Sequence, residues 1–316
     1  MALEGEKAVD AMRFPLLATL KGARLKRLTG DQALFVGLIF PTVAILVAFV
    51  AYPAVRSLYL SFHDVEPFSQ TLSWAGLDNF KALFSSPEFL ASLLVTFHFS
   101  VLTVLPSVVI SLVLALLLDA NPYFQNIWRT LFLLPVAISS AMAAMLWIFL
   151  FNPTAGYLNY LLECLGVHGP NWLADPNWAL YSVALVTVWK ELGFNVIFFL
   201  AGLSGIPKDV NEAAYIDGAK PLRRIISITL PLLSPTILFV TIVSLINSFQ
   251  TFGQIHILTG GGPAGTTTTL VYQLYHDAFT NFRTGFASAQ AVVLFAILLV
   301  ATYLQFRAAK SRVHYG

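Results

Sequence analysis

The chain has 316 residues, of which 57% are hydrophobic and only 11% charged, with a net charge of +2 and a mean hydropathy of +0.75. Soluble domains carry about 25% charged residues, so the composition is that of an integral membrane protein, and the near-neutral balance gives no basis for binding nucleic acid. A single cysteine, Cys164, excludes an intrachain disulfide and a cysteine-based metal site.

Residues 1–32 form a basic tail with Lys7, Arg13, Lys21, Arg24, Lys26 and Arg27. Its weakly amphipathic part, Phe14 to Leu28, is suited either to an anionic membrane surface or to a disordered tail. The first apolar run starts only after this tail and is long enough to span, which argues against a cleaved secretory leader. Apolar stretches follow at 33–53, 92–118, 130–151, 179–203, 226–250 and 286–306. About 20 helical residues cross a hydrocarbon core of ~30 Å, so all six are long enough to span. The fourth is interrupted by Lys190 and Glu191. Pro41, Pro106, Pro135 and Pro235 are expected inside spans, where neighbouring helices satisfy the freed carbonyls.

Lysine and arginine counts set the orientation. With the N-terminus in the cytoplasm, fourteen of the 18 cations fall on inside segments. Arg56, Lys81 and Arg283 fall outside, and Lys190 lies within a span. Both termini, including the tail 307–316, are therefore expected inside, with outer loops at 54–91, 152–178 and 251–285. Glycines beside Pro263 in the third outer loop read as a tight turn.

Between the fourth and fifth spans lies a short polar break. Pro207 and Asp209 suit the first turn of a helix, and Ile206, Val210, Ala213 and Ala214 fall on one apolar face. Gly218 is expected to end that helix at positive φ, and Pro221 discourages its continuation. The order is Glu212-Ala213-Ala214, three residues, Gly218, nine residues, then Ile228-Thr229-Leu230-Pro231.

This spacing resembles the loop signature of permease subunits in bacterial binding-protein-dependent ABC importers of the carbohydrate-uptake class. The resemblance runs from about residue 33 to the C-terminus. It implies an all-α integral membrane protein with six transmembrane helices, the type I ABC importer permease fold with a cytoplasmic coupling helix. A first helix at 33–53 would precede a five-helix core at 88–306. It further implies a second homologous permease subunit, a homodimeric ABC ATPase using ATP and Mg, an extracytoplasmic solute-binding protein and lipid as partners. The chain itself would bind no cofactor, would not be an enzyme, and would sit in the bacterial cytoplasmic (inner) membrane. Glu212, Ala213, Ala214, Gly218, Ile228, Leu230 and Pro231 would form the ATPase-docking loop. In such permeases the third outer loop approaches the solute-binding protein. Segments Trp74 to Phe80 and Phe151 to Gly156 are similar to ones found in sugar-type permeases.

Within the family, Val65-Glu66-Pro67-Phe68, Thr267 to Tyr272, Ser288 to Ala291 and Gln305 to Tyr315 are most similar to permeases of sn-glycerol-3-phosphate importers. The substrate implied is sn-glycerol-3-phosphate or a glycerophosphodiester. Maltose-type and other oligosaccharides remain the alternative, since most of these segments recur there in altered form.

The residue chemistry is sparse. No G-x-x-x-x-G-K-S/T, H-E-x-x-H or G-x-S-x-G occurs, and the six histidines lack ligand spacing. His98 reads as a hydrogen-bonded packing residue. An intramembrane charge costs at least ~2.5–3.5 kcal/mol, so Lys190 and Glu191 must face a partner or a cavity. Successive helical residues diverge by about 100°, so each needs its own partner. An interhelical ion pair and a lining of the solute path are both open, and Glu191 and Asn195 share a face. On the fifth span Thr241, Ser244, Ser248 and Thr251 form one polar row. Asn247, Gln250 and Gln254 form another. Hydroxyls there often serve packing, whereas carboxamides have the donors and acceptors that hydroxylated solutes require. The candidate solute path is thus Lys190, Glu191, Asn195, Ser244, Asn247 and Gln250.

Overall fold

A computed structural model describes residues 30–67, 71–120 and 125–309. The basic tail before Gly30, Phe68 and the C-terminal residues from Lys310 lie outside the described residues. The chain falls into two units, Met1–Val55 and Arg56–Gly316.

In the first unit, α1 (Gly30–Leu46) passes through a π turn at Val47–Ala51 into α2 (Tyr52–Leu60), whose later turns belong to the second unit. Pro53 explains the π turn. It has no N–H to give and its ring crowds the carbonyl four residues back, and the wider turn relieves both. The helical run Leu34–Leu60 continues beyond the expected end at residue 53, and no part of its apolar window is buried within the chain. That is the surface of a helix dissolved in hydrocarbon.

The second unit continues with a two-stranded antiparallel hairpin, β1 (His63–Val65) and β2 (Leu72–Trp74), in the register His63 to Trp74. Asn79, in α3 (Asp78–Ser85), donates to the carbonyls of Ser61 (3.1 Å) and His63 (2.9 Å), which ties the hairpin to the helix. Then comes α4 (Pro87–Asp119), five residues ahead of its apolar run. The early start has three causes. Ser86 accepts from the Phe89 N–H at 3.3 Å, Pro87 occupies the first helical position, and Glu88 meets the positive dipole end.

Two apolar stretches do not form straight spans. The third divides into α5 (Gln125–Ala137) and α6 (Ser140–Leu150), bent by 101°. Pro135 weakens the last turns of α5, and Ser139 starts a new helix by accepting from the Met142 N–H at 3.2 Å. The fifth bends by 69° between Pro221–Leu232 and α12 (Ser234–Phe249). Pro235 consequently stands in the first turn of α12 rather than inside a span, where its missing N–H costs little. The fourth stretch is the reverse case. Despite its charges it is one unbroken helix, α8 (Ala179–Ser204). With α15 (Thr284–Ala309), four helices are long and apolar enough to cross a membrane among the described residues, or six with each bent pair taken as one span.

Helix α8 is the hub, packing against both α4 and α5. The fit to α5 is close. A side chain at Gly193 would strike the Phe132 carbonyl and approach Val136. One buried cluster joins α4, α6 and the first half of α8 through Phe99, Ala144, Val183 and Val186. A second joins the far ends of α4 and α8 to α12 through Ala115, Val196, Phe199 and Val240. Lys190 and Glu191 stand at the junction between the two.

Candidate functional site

The break between α12 and α13 (Gly253–Leu258) puts Gln250, Thr251 and Phe252 in non-helical backbone. Opposite it is the break between α5 and α6, and between them runs the middle of α8. Together they enclose a cavity of about 400 Å³. Irregular backbone at membrane depth is tolerated only where it is buried in protein or lines a water-filled space. The wall includes Ser140, Thr187, Lys190, Glu191, Asn247, Gln250 and Gln254, with Phe194 and Phe252 among its apolar members.

The two polar rows of the fifth stretch part company here. All three carboxamides, Asn247, Gln250 and Gln254, line the cavity. The hydroxyls mostly serve packing. Thr241 donates to the Ile237 carbonyl at 2.7 Å, and Ser248 to Ser100 Oγ of α4 at 2.9 Å. Thr251 reaches the wall while donating to the Asn247 carbonyl at 3.0 Å. Asn195 and Ser244 are not in the cavity wall. Both are buried, and Asn195 Nδ2 donates to Ser244 Oγ at 3.2 Å between α8 and α12. Of the six candidate path residues, four therefore share one cavity and two pin neighbouring helices. Nor does an interhelical ion pair account for the charges. No ion pair involving Lys190 or Glu191 occurs within 4.0 Å among the described residues.

Features of α4 and the outer loop add to this site. Ser92, Thr96, Ser100, Thr103, Ser107 and Ser111 are all buried along one side of α4. Ser107 faces the Glu191 carboxylate, and Ser111 donates to the Leu192 carbonyl at 3.4 Å. Their recurrence every three or four residues is visible in the sequence. A chain of rings also leaves the cavity at Phe252, through His256 and Tyr272 to Tyr275 and Phe279, with successive centroids 5.2 to 6.4 Å apart. Tyr272, in α14 (Leu270–Tyr275), has its phenol pushed above the usual range by burial, with Tyr275 adding to the effect. His98 is exposed and meets Tyr181 edge to face at 6.1 Å instead of making a packing hydrogen bond.

The third outer loop is held by its own threonines. Thr267 and Thr268 donate to the Gly262 and Gly261 carbonyls at 2.7 and 2.8 Å, and Gly260 and Gly261 take φ of +57° and +82°. The tight-turn reading describes it. Beyond the loop, Asp277 is 2% exposed and accepts from Gln273 (3.0 Å), Asn281 (3.0 Å) and Gln290 of α15 (2.8 Å).

At the other end of α8 lies α9 (Lys208–Ile216). Its helix closes as the spacing predicts. Gly218 has φ +72°, and the Ala219 N–H donates to the Ala214 carbonyl at 3.0 Å, the long bond of a glycine C-cap. The expected apolar face is only partly covered, however. Ala214 is buried, whereas Val210 and Ala213 are exposed, because the helix stands off the bundle in the single chain. Glu212 is exposed, and Ile216 and Leu222 are 82% and 68% exposed. Past α10 (Pro221–Arg224), a π turn at Ile225–Thr229 precedes Pro231 and the 69° bend. Ile228, Leu230 and Pro231 are half-buried in that bent arm. The glycine cap and the I-x-L-P segment are thus consecutive parts of one joint.

Residues 74–315 match the family of binding-protein-dependent transport system inner membrane components. The chain is 43% identical over 282 residues to the sn-glycerol-3-phosphate transport system permease protein UgpA of Agrobacterium fabrum (strain C58 / ATCC 33970), covering 88% of this chain and 95% of that protein. The protein of that name from Yersinia enterocolitica (serotype O:8 / biotype 1B) is 40% identical over 279 residues, covering 88% of this chain and 94% of that one. Among solved structures, a chain of a bacterial ABC transporter involved in the import of the acidic polysaccharide alginate superposes with a TM-score of 0.75 at 27% identity, over 88% of this chain and 96% of that one. A chain of a bacterial alginate ABC transporter, in complex with an alginate pentasaccharide-bound periplasmic protein, gives 0.78 at 24%, over 90% and 97%. The mostly helical fold, with its one small β hairpin among the described residues, is that of an ABC importer permease. The chain belongs to the family of inner membrane components of binding-protein-dependent transport systems.

Proposed function

We propose that this chain forms half of the translocation pathway of an ATP-driven importer of sn-glycerol-3-phosphate or a glycerophosphodiester. The observation that carries the reading is the 400 Å³ polar cavity between two broken helices, in a chain over 40% identical to proteins named as glycerol-3-phosphate permeases. A second permease subunit would supply the other half, and a solute-binding protein would deliver solute at the outer loops.

An ATPase pair would engage α9. Exposed Glu212 offers a carboxylate, while Ile216 and Leu222 offer apolar anchors that the lone chain leaves uncovered. ATP-driven closure of that pair would push α9 and the bent arm behind it, rocking the bundle around the cavity. Neither ATP nor Mg would contact this chain. Both termini and the α9 loop would face the cytoplasm. Cysteines placed near Gly76 and Gly261 in a Cys164→Ser background should then be labelled from outside intact cells, and one near Gly218 should not. The function is tested by uptake of labelled sn-glycerol-3-phosphate in a strain lacking other routes, with maltose as comparison. Maltose uptake without glycerol-phosphate uptake rejects the substrate.

A further inference from the structure

We infer that Lys190 and Glu191 form a switchable charge pair in this cavity. Lys190 takes the anionic end of a small polyol, and Glu191 is the internal counter-charge that competes for Lys190 and lets the solute go. The inference rests on the reading that the cavity lies on the solute path.

Among the described residues that line the cavity, Lys190 is the sole cation and Glu191 the sole acid. Neither is fully satisfied as it stands. No carboxylate within 4.0 Å of the Lys190 ammonium completes an ion pair among the described residues. Glu191 Oε2 is buried with no hydrogen-bond partner. Facing the Glu191 carboxylate from α4 is Ser107, whose hydroxyl already donates to the Val104 carbonyl at 3.1 Å. Both residues are half-buried, and a partly desolvated charge with incomplete partners gains from any opposite charge that reaches it.

The geometry makes that internal pairing available but poor. Lys190 and Glu191 are successive residues of a helix, and their side chains leave it about 100° apart. They meet only if the flexible lysine stem folds back, which gives a weak bond that an incoming anion can replace. Around Lys190, the carboxamides of Asn247, Gln250 and Gln254 supply donors and acceptors for hydroxyl groups. The cavity volume of about 400 Å³ suits a small solute, within the ~300–1,000 Å³ typical of ligand sites. A lone lysine in such a place would hold a phosphate too firmly for rapid passage. A neighbouring carboxylate that reclaims the lysine shortens the stay.

The test uses the full complex of both permeases, the ATPase pair and the solute-binding protein in liposomes, with labelled sn-glycerol-3-phosphate. Lys190→Gln should raise KM roughly tenfold or more, the loss of one charge-assisted contact. Glu191→Gln should act oppositely, lowering both KM and Vmax several-fold as release slows. A merely structural role for Glu191 would lower Vmax without lowering KM. In the double variant the effect of Glu191→Gln should vanish, because no lysine remains to compete for. Unchanged or raised KM in Glu191→Gln overturns the proposal, and that result decides it even if Lys190→Gln fails to assemble. Thiol labelling of Gln250→Cys in the Cys164→Ser background separates the two levels of the argument. If solute under turnover does not protect that cysteine, the path reading fails. If it does protect while Lys190→Gln keeps its KM, only the charge-pair assignment fails.

Discussion

Gly218 offers a test in which backbone strain is isolated from packing. Its φ of +72° is a conformation that L side chains resist, yet a side chain built there meets nothing within 4 Å. The cost of substitution is therefore almost wholly conformational, about 1–2 kcal/mol for alanine. A β-branched valine costs more, and asparagine, which tolerates this region, costs less. Against a global stability of roughly 5–15 kcal/mol this does not unfold the protein, but locally it shifts the populated loop ending by about 5- to 30-fold. Abundance and insertion should stay near wild type while transport and its coupling to ATP hydrolysis fall in the order Asn, Ala, Val. The assay is transport and solute-stimulated ATP hydrolysis in the reconstituted complex, with permease quantified by blot. Wild-type coupling in Gly218→Val would refute the reasoning, as would Asn and Val being equally harmful, since the cost would then not track φ.

Three further outcomes follow from the packing. Asp277→Ala should destabilise the complex by about 1–3 kcal/mol, because the fully buried Gln290 amide loses its acceptor along with half-buried Gln273 and exposed Asn281, whereas Asp277→Asn should cost less; thermal unfolding with both variants checks the order. The Asn195–Ser244 bond should show a coupling of only about 0.5–1.5 kcal/mol in a double-mutant cycle of alanine variants, with solute KM unchanged, as befits a pin between helices outside the cavity. Gly193→Ala should lower stability by about 1–3 kcal/mol, since the Phe132 carbonyl it would strike is backbone and cannot turn aside; an unchanged unfolding temperature would show that α5 and α8 separate freely.

The sequence made some features legible for clear reasons. Hydropathy marks what must be in lipid, so α8 was expected as a span even with two charges in it. Glycine at a helix end has a local meaning, and Gly218 takes the φ that its position required. What hydropathy cannot register is direction. The runs at 130–151 and 226–250 look like straight spans by composition, but Pro135 with Ser139, and Pro231 with Pro235, turn them sharply. The first of those turns, together with the separate break after Phe249, borders the cavity. Asn195 and Ser244 show the same limit at residue scale. A polar side chain on a polar face reads alike whether it meets water or another helix, and only the position of α12 beside α8 decided between them. The Ser and Thr series of α4 was open to notice from its spacing, but its partners on α8, α12 and α14 were not.

That series has a mechanical consequence. Most of its hydroxyls return their hydrogen bond to their own helix, as Thr96 does to Ser92 at 2.7 Å and Ser100 to Thr96 at 2.8 Å. Groups so satisfied make no directional demand on the surface they touch, and being small they leave it smooth. Among the described residues a few contacts cross the seam, at Ser100 with Ser248, Thr96 with the Leu270 N–H, Ser107 with the Glu191 carboxylate and Ser111 with the Leu192 carbonyl. Helix α4 is thus greased along most of its length and pinned at a few points. On the proposed reading of α9, a push arriving through the bent arm would meet a bearing there, with stops that limit its travel, and not a continuous weld.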